Sequence, residues 1–191
     1  MQLRSGYIRE VYSLTDQAAI QNRLIERNHP LAGEYVSEIM TVIYMPLLDE
    51  TIQYNLIEPF GTVMVARNHQ SLYGIFFPNR PIRTSSFVHP GGRMAVTDSI
   101  AATWSTSVAV TASWLSLNVG FSHTNTHSIS DTQDITVREG YRAYVTAFAL
   151  HRRVSFDIYQ HLTSVGQITR VGNGRSYMPN GVRFEVVFGR V

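Results

Sequence analysis

"TWSTSVAVTASWLSLNVGFSHTNTHSISDTQD", residues Thr103 to Asp134, alternates in polarity and is rich in serine and threonine. From Thr103 to Trp114 the even positions are Trp104, Thr106, Val108, Val110, Ala112 and Trp114. The odd positions are Thr103, Ser105, Ser107, Ala109, Thr111 and Ser113. Successive side chains on a strand point to opposite faces, so this spacing predicts a strand with one apolar face and one hydroxyl-rich face. At Trp114-Leu115 the phase inverts, and Leu115, Leu117, Val119 and Phe121 carry the apolar side. A one-residue slip moves every side chain to the other face, so the chain must bulge, bend or turn there. No Gly, Pro, Asn or Asp lies at 112–116, which points to a bulge rather than a tight hairpin turn.

Beyond Phe121 the alternation loses its apolar partner. Ile129 is the sole aliphatic residue in 122–134, so this part is expected to lie exposed or at an edge. The polar face is uncharged from Trp104 to Ser130, and a tryptophan stands at each end of the first half. Membrane-crossing strands need about 9–11 residues alternating apolar with polar, and charge on them is costly. Amphipathic aromatics suit the membrane–water interface. The segment 103–130 is therefore a candidate membrane-insertion segment, with Trp104, Val108, Val110, Trp114, Leu115, Leu117, Val119 and Phe121 as its apolar residues.

Outward from this stretch the texture is β. "GYRAYVTAFALHRRVSFDIYQHL" (140–162) predicts one long bent strand or two. Strands are also expected at 164–172 and 181–191, set off by turn signals "GNG" at 172–174 and "PNG" at 179–181. Upstream, strands are expected at 34–45, 51–57, 61–67 and 71–77. The run "PNRPIRTSSFVHPGG" (78–92) reads as a loop. It suggests a boundary between an N-terminal α+β portion, 1–92, and a C-terminal all-β portion, 93–191. One helix is predicted within "SLTDQAAIQNRLIERNHP" (13–30), with Ser13 or Thr15 as N-cap and Pro30 as the stop.

The 191-residue chain contains no cysteine, which excludes disulfides and thiolate metal sites. All 16 basic residues are arginine. Composition bias accounts for this simply; a chain without side-chain amines would also escape ubiquitin in a eukaryotic cytosol. Residues 1–60 carry 8 acids and 4 arginines, whereas 61–191 carry 6 acids and 12 arginines. The arginines are scattered singly apart from Arg152-Arg153 and accompany no nucleic-acid motif, so no nucleic-acid partner is expected. No window is apolar enough for a membrane-spanning helix, and "MQLRSGYIREVY" shows no apolar signal region.

A Ser/Thr-rich alternating strand, then "VGFSHTNTHS", then "DITVREGYRAYVTAFALHRRVSFDIY" resembles the aerolysin-like β-pore-forming proteins, including the epsilon-toxin-type insecticidal toxins. The ending, Pro179 with Gly181 to Val186, is similar to small bacterial relatives with a "GVRFEV"-like strand. The resemblance covers roughly residues 93–191. It implies a mainly β, elongated antiparallel sheet or sandwich with one short N-terminal helix. It further implies a secreted protein that meets a target-cell membrane and a surface receptor or glycan, forms a homo-oligomer, and inserts a segment within Trp104 to Ser130. The strands at 133–138 and 142–160 would be the scaffold.

Nothing points to catalysis. His123 and His127 at i,i+4 on a strand would stand about 13 Å apart, too far for one metal ion. No serine sits in a G-x-S-x-G elbow, and the glycine clusters precede no helix that could cradle phosphate. No cofactor and no metal are expected, and the chain reads as a non-enzyme. A second reading is a static structural or binding module whose hydroxyl-rich face serves self-assembly or glycan contact.

Overall fold

Long antiparallel strands organise the chain. The computed structural model describes residues 7–46, 62–162 and 164–191; the strand expected at 51–57 lies outside them. In order, the elements are β1 (Tyr7–Leu14), α1 (Gln17–Glu26), β2 (Val36–Pro46), β3 (Thr62–Val88), β4 (Gly91–Ala101), β5 (Thr103–Thr106), α2 (Ala112–Val119), β6 (Thr126–Thr136), β7 (Tyr141–Leu162) and β8 (Gln167–Arg190). One sheet runs β1-β2-β8-β7-β3, with β5 also paired to β8, and a separate two-stranded sheet joins β4 to β6. At roughly 3.3 Å per residue, β7 alone extends for about 70 Å. The fold is mainly β, antiparallel and elongated.

The strands form where β-branched and aromatic residues alternate. On β7, Ala143, Val145, Ala147 and Ala149 face one way and meet Val182, Phe184 and Val186 of β8. The β4–β6 ribbon closes this layer with Met94, Val96, Ile129 and Ile135. Phe184 is fully buried. Full burial of such side chains contributes about 1.5–3 kcal/mol each, so this layer is the main cohesive element. A second cluster seats α1 through Ile20 and Leu24 against Leu31, Val36, Ile39 and Val187. The helix is capped by Asp16, whose carboxylate accepts from the Ala19 amide at 2.7 Å, not by Ser13 or Thr15.

Several expected breaks are absent. The loop read at 78–92 is strand as far as Val88, because β3 stays paired with β7 through a series of register shifts between Arg67 and Arg83. Irregularity there absorbs the prolines that suggested a boundary. The glycines of "GNG" and "PNG" lie inside β8, where they permit close approach rather than turning. A Cβ on Gly174 would sit 2.5 Å from the Phe156 ring, and one on Gly181 would collide with the Tyr44 carbonyl oxygen. The segment expected to lie exposed or at an edge does form an edge strand, β6 of the two-stranded ribbon, but its Ile129 side chain is buried, 4 % exposed, because the ribbon turns it onto the main sheet.

Candidate membrane-insertion segment

Between Asp98 and Asp131 the chain carries no charged side chain over residues 99–130. Its two ends belong to the paired strands β4 and β6, and its middle wraps onto the far end of the main sheet. β5 docks on β8 with Thr103 opposite Tyr177 and Thr106 opposite Gly174. The strand predicted to continue from there stops at Thr106, and residues 112–119 are helical.

The helix has local causes that alternation concealed. The Thr111 hydroxyl accepts from the Trp114 amide at 3.1 Å, capping the N-terminus. Gly120 adopts a left-handed backbone conformation, one that commonly ends helices. Within this frame Leu115 and Val119 stand four residues apart on one face. Both are fully buried against Ala66, Val154, Phe156 and Ile158. The phase inversion at Trp114-Leu115 is thus accommodated here by a helical turn, not by the expected bulge.

The predicted apolar residues divide. Val108, Val110, Trp114 and Phe121 are half-buried around the Leu115–Val119 cluster, whereas Trp104 is 39 % exposed and Leu117 63 % exposed. Polar contacts also hold the segment down. The Trp114 indole donates to the Met64 carbonyl at 2.8 Å, and the Asn118 amide oxygen accepts from the Ala66 amide at 2.9 Å. A His69 ring nitrogen donates to the Asn118 carbonyl at 2.9 Å.

His123 is the most enclosed of these anchors. Its Nδ1 donates to the Phe121 carbonyl at 3.0 Å, leaving Nε2 to accept from the Ser176 hydroxyl. Phe121 stacks on its ring at 4.7 Å, and Trp104 meets it edge-on at 5.6 Å. Burial pushes the His123 and His69 imidazoles below their ordinary value near 6.5, against the opposing pull of the carbonyls they bond. His127 donates to the Ser122 carbonyl at 2.8 Å, so both histidines of the H-x-x-x-H pair are engaged with backbone or hydroxyl groups. No cluster of three or more His, Cys, Asp or Glu residues suited to a metal ion occurs among the described residues. No helix among them is long and apolar enough to cross a membrane.

The anchors His69, Asn118 and Ser176 escaped sequence reading because each joins residues 49 to 53 positions apart. The Thr111 cap and the Gly120 stop were readable, because a periodic run between a capping threonine and a glycine is a helix signature.

No family model and no curated protein matches the chain. Among solved structures it is similar to a protein from Bacteroides vulgatus described as a "putative pore-forming toxin", at 8 % identity and a TM-score of 0.30, covering 96 % of this chain and 81 % of that one.

Proposed function

We propose that the chain is a toxin-like, β-pore-forming protein that oligomerises and inserts residues 102–125 into a target membrane as an extension of the β4–β6 ribbon. One observation carries this reading. β4 and β6 pair without a register break from Gly91–Thr136 to Ala101–Thr126. Continuing that register through the wrapped segment pairs Trp104 with His123, Thr106 with Phe121, Val108 with Val119, Val110 with Leu117 and Ala112 with Leu115. Ser113-Trp114 then forms a two-residue tip. Every pair just named faces the same side as buried Met94 and Val96. The opposite side receives Thr103 with Thr124, Ser105 with Ser122, Ser107 with Gly120, Ala109 with Asn118, and Thr111 with Ser116.

The phase inversion at Trp114-Leu115 is what a hairpin tip requires, since the two arms must present their apolar side chains to one face. The newly paired arms, 102–112 and 115–125, each span about 11 residues, the length a tilted barrel strand needs. Asp98 and Asp131 lie on the apolar side just below the uncharged stretch, where they would stop at the headgroups. Closing the hairpins of several copies into a barrel removes the free ribbon edges that a lone hairpin would leave unsatisfied in lipid.

Leu117→Asp tests the reading. Leu117 is 63 % exposed in the wrapped state, so the substitution should leave the fold and its melting temperature intact. In the extended hairpin it places a charge on the lipid side, which must cross the bilayer with the tip. Dye release from liposomes should fall by ~10-fold or more. Release equal to wild type would remove this function and favour the static module.

A further inference from the structure

On the side of the main sheet away from α2 lies an open, polar cleft, walled in part by Ser105, Thr106 and Ser107 of the wrapping segment. Alternation on β7 turns Val154, Phe156 and Ile158 toward α2 and leaves Arg153, Ser155 and Asp157 on the other side. The cleft has a volume of about 590 Å³, large enough for a one- or two-ring ligand. Gln70 of β3, Arg175 and Asn173 of β8, and Ser105 of β5 complete its walls. The register places Gln70, Ser155, Arg175 and Ser105 in one row across four strands.

Its charge is unbalanced. Asp157 is already engaged, accepting from Asn68 at 2.8 Å and from Arg170 at 2.7 and 2.9 Å. Arg153 and Arg175 have no carboxylate partner among the described residues. The Arg153 Nε is buried with no hydrogen-bond acceptor. At that nitrogen the guanidinium is held by no protein acceptor, and the charge is left to the groups that face the cleft. Arginine forks suit planar oxyanions, and the surrounding hydroxyls and amides suit ring hydroxyls.

We infer that this cleft binds an acidic saccharide, its carboxylate or sulfate held between Arg153 and Arg175 and its hydroxyls on Gln70, Ser105, Ser155 and Asn173. The inference does not depend on membrane insertion. Because Ser105 belongs to β5, the complete site exists only while β5 is docked, so an occupant favours the wrapped form.

Isothermal titration of the full chain, without membranes, with 3′-sialyllactose and a heparin-derived disaccharide reads the site. Lactose and inorganic sulfate serve as comparisons. At least one acidic sugar should bind saturably, and Arg153→Gln or Arg175→Gln should each weaken it by ~10-fold or more, the value of one lost charge-assisted contact. Arg175 is exposed, so its variant tests the site without threatening the fold. Arg138→Gln, at an exposed position outside the cleft, should bind as wild type, as should Leu117→Asp. Three results would overturn the inference: neither acidic sugar binds, Arg153→Gln and Arg175→Gln both bind as wild type, or sulfate alone matches the sugars. None of these bears on the hairpin.

Discussion

Pinning β5 to β8 should hold the protein in its wrapped form, and the structure supplies the pair. Thr103 and Tyr177 are direct partners across an antiparallel ladder. Such residues have Cα atoms about 4.5–5.5 Å apart, within the range a disulfide bridges. The chain has no cysteine, so Thr103→Cys with Tyr177→Cys introduces the sole two thiols. Closing a loop of roughly 75 residues removes chain entropy from the unfolded state worth about 4.5 kcal/mol. The oxidised protein should therefore melt well above the reduced one. More decisively, β5 can no longer leave β8, so the ribbon cannot extend past Ala101–Thr126. The substitution removes the Tyr177 ring, which packs on Phe77 at 5.5 Å. Losing such an aromatic pair costs about 1 kcal/mol and is shared by both redox forms, so it cancels in the comparison. Liposome dye release, measured with and without reductant, should be near background when oxidised and restored on reduction. Equal release by the two forms would refute the claim that undocking of β5 is a required step.

Other perturbations test the frame and the anchors. Glu185 is 5 % exposed and accepts from Arg27 and, at 3.3 Å, from Arg183. Glu185→Gln should destabilise by about 3–5 kcal/mol in denaturant titration by leaving Arg183 buried and unpaired. The Cβ introduced by Gly181→Ala would collide with the β2 backbone at Tyr44. That overpacking should cost about 1–3 kcal/mol or more, read as a lower melting temperature. His123 and His151 are held below their ordinary value near 6.5 mainly by burial. The unfolded chain therefore binds more protons than the fold as the pH drops. Their stabilising effect is full above pH 6.5 and is lost as pH falls toward the lowered values, with a slope of up to about 1.4 kcal/mol per pH unit for each. Chemical denaturation at stepped pH should show this decline, and His123→Phe should reduce its slope.

The frame was legible because β strands write their burial into the sequence. The stretch 140–162 reads as one long bent strand or two and forms the single strand β7, and 34–45 reads as β2, since both carry β-branched and aromatic residues on a face that packs. Prolines and glycines misled where they mark close packing or register shifts instead of turns, as at Pro78, Gly174 and Gly181. Alternation at 103–121 was ambiguous for a physical reason. Leu115 and Val119 satisfy both a period of two and an i,i+4 spacing, and the tertiary surface of Val154, Phe156 and Ile158 selects the helix. The hydrogen-bonded anchors of that segment, Trp114 to Met64 and Asn118 to Ala66, depend on contacts no local pattern encodes. For 99–130 the polarity pattern fits a second arrangement, compatible with the β4–β6 register, alongside the one adopted in the wrapped fold.

Site-by-site fluorescence tests that second arrangement most directly. Single cysteines at positions 105 through 112, each labelled with an environment-sensitive dye, are compared before and after liposomes are added. Labels at 106, 108, 110 and 112 should shift to the blue as they enter lipid, while those at 105, 107, 109 and 111 remain in water. A uniform response, a helical period, or no change on membrane addition would contradict that arrangement.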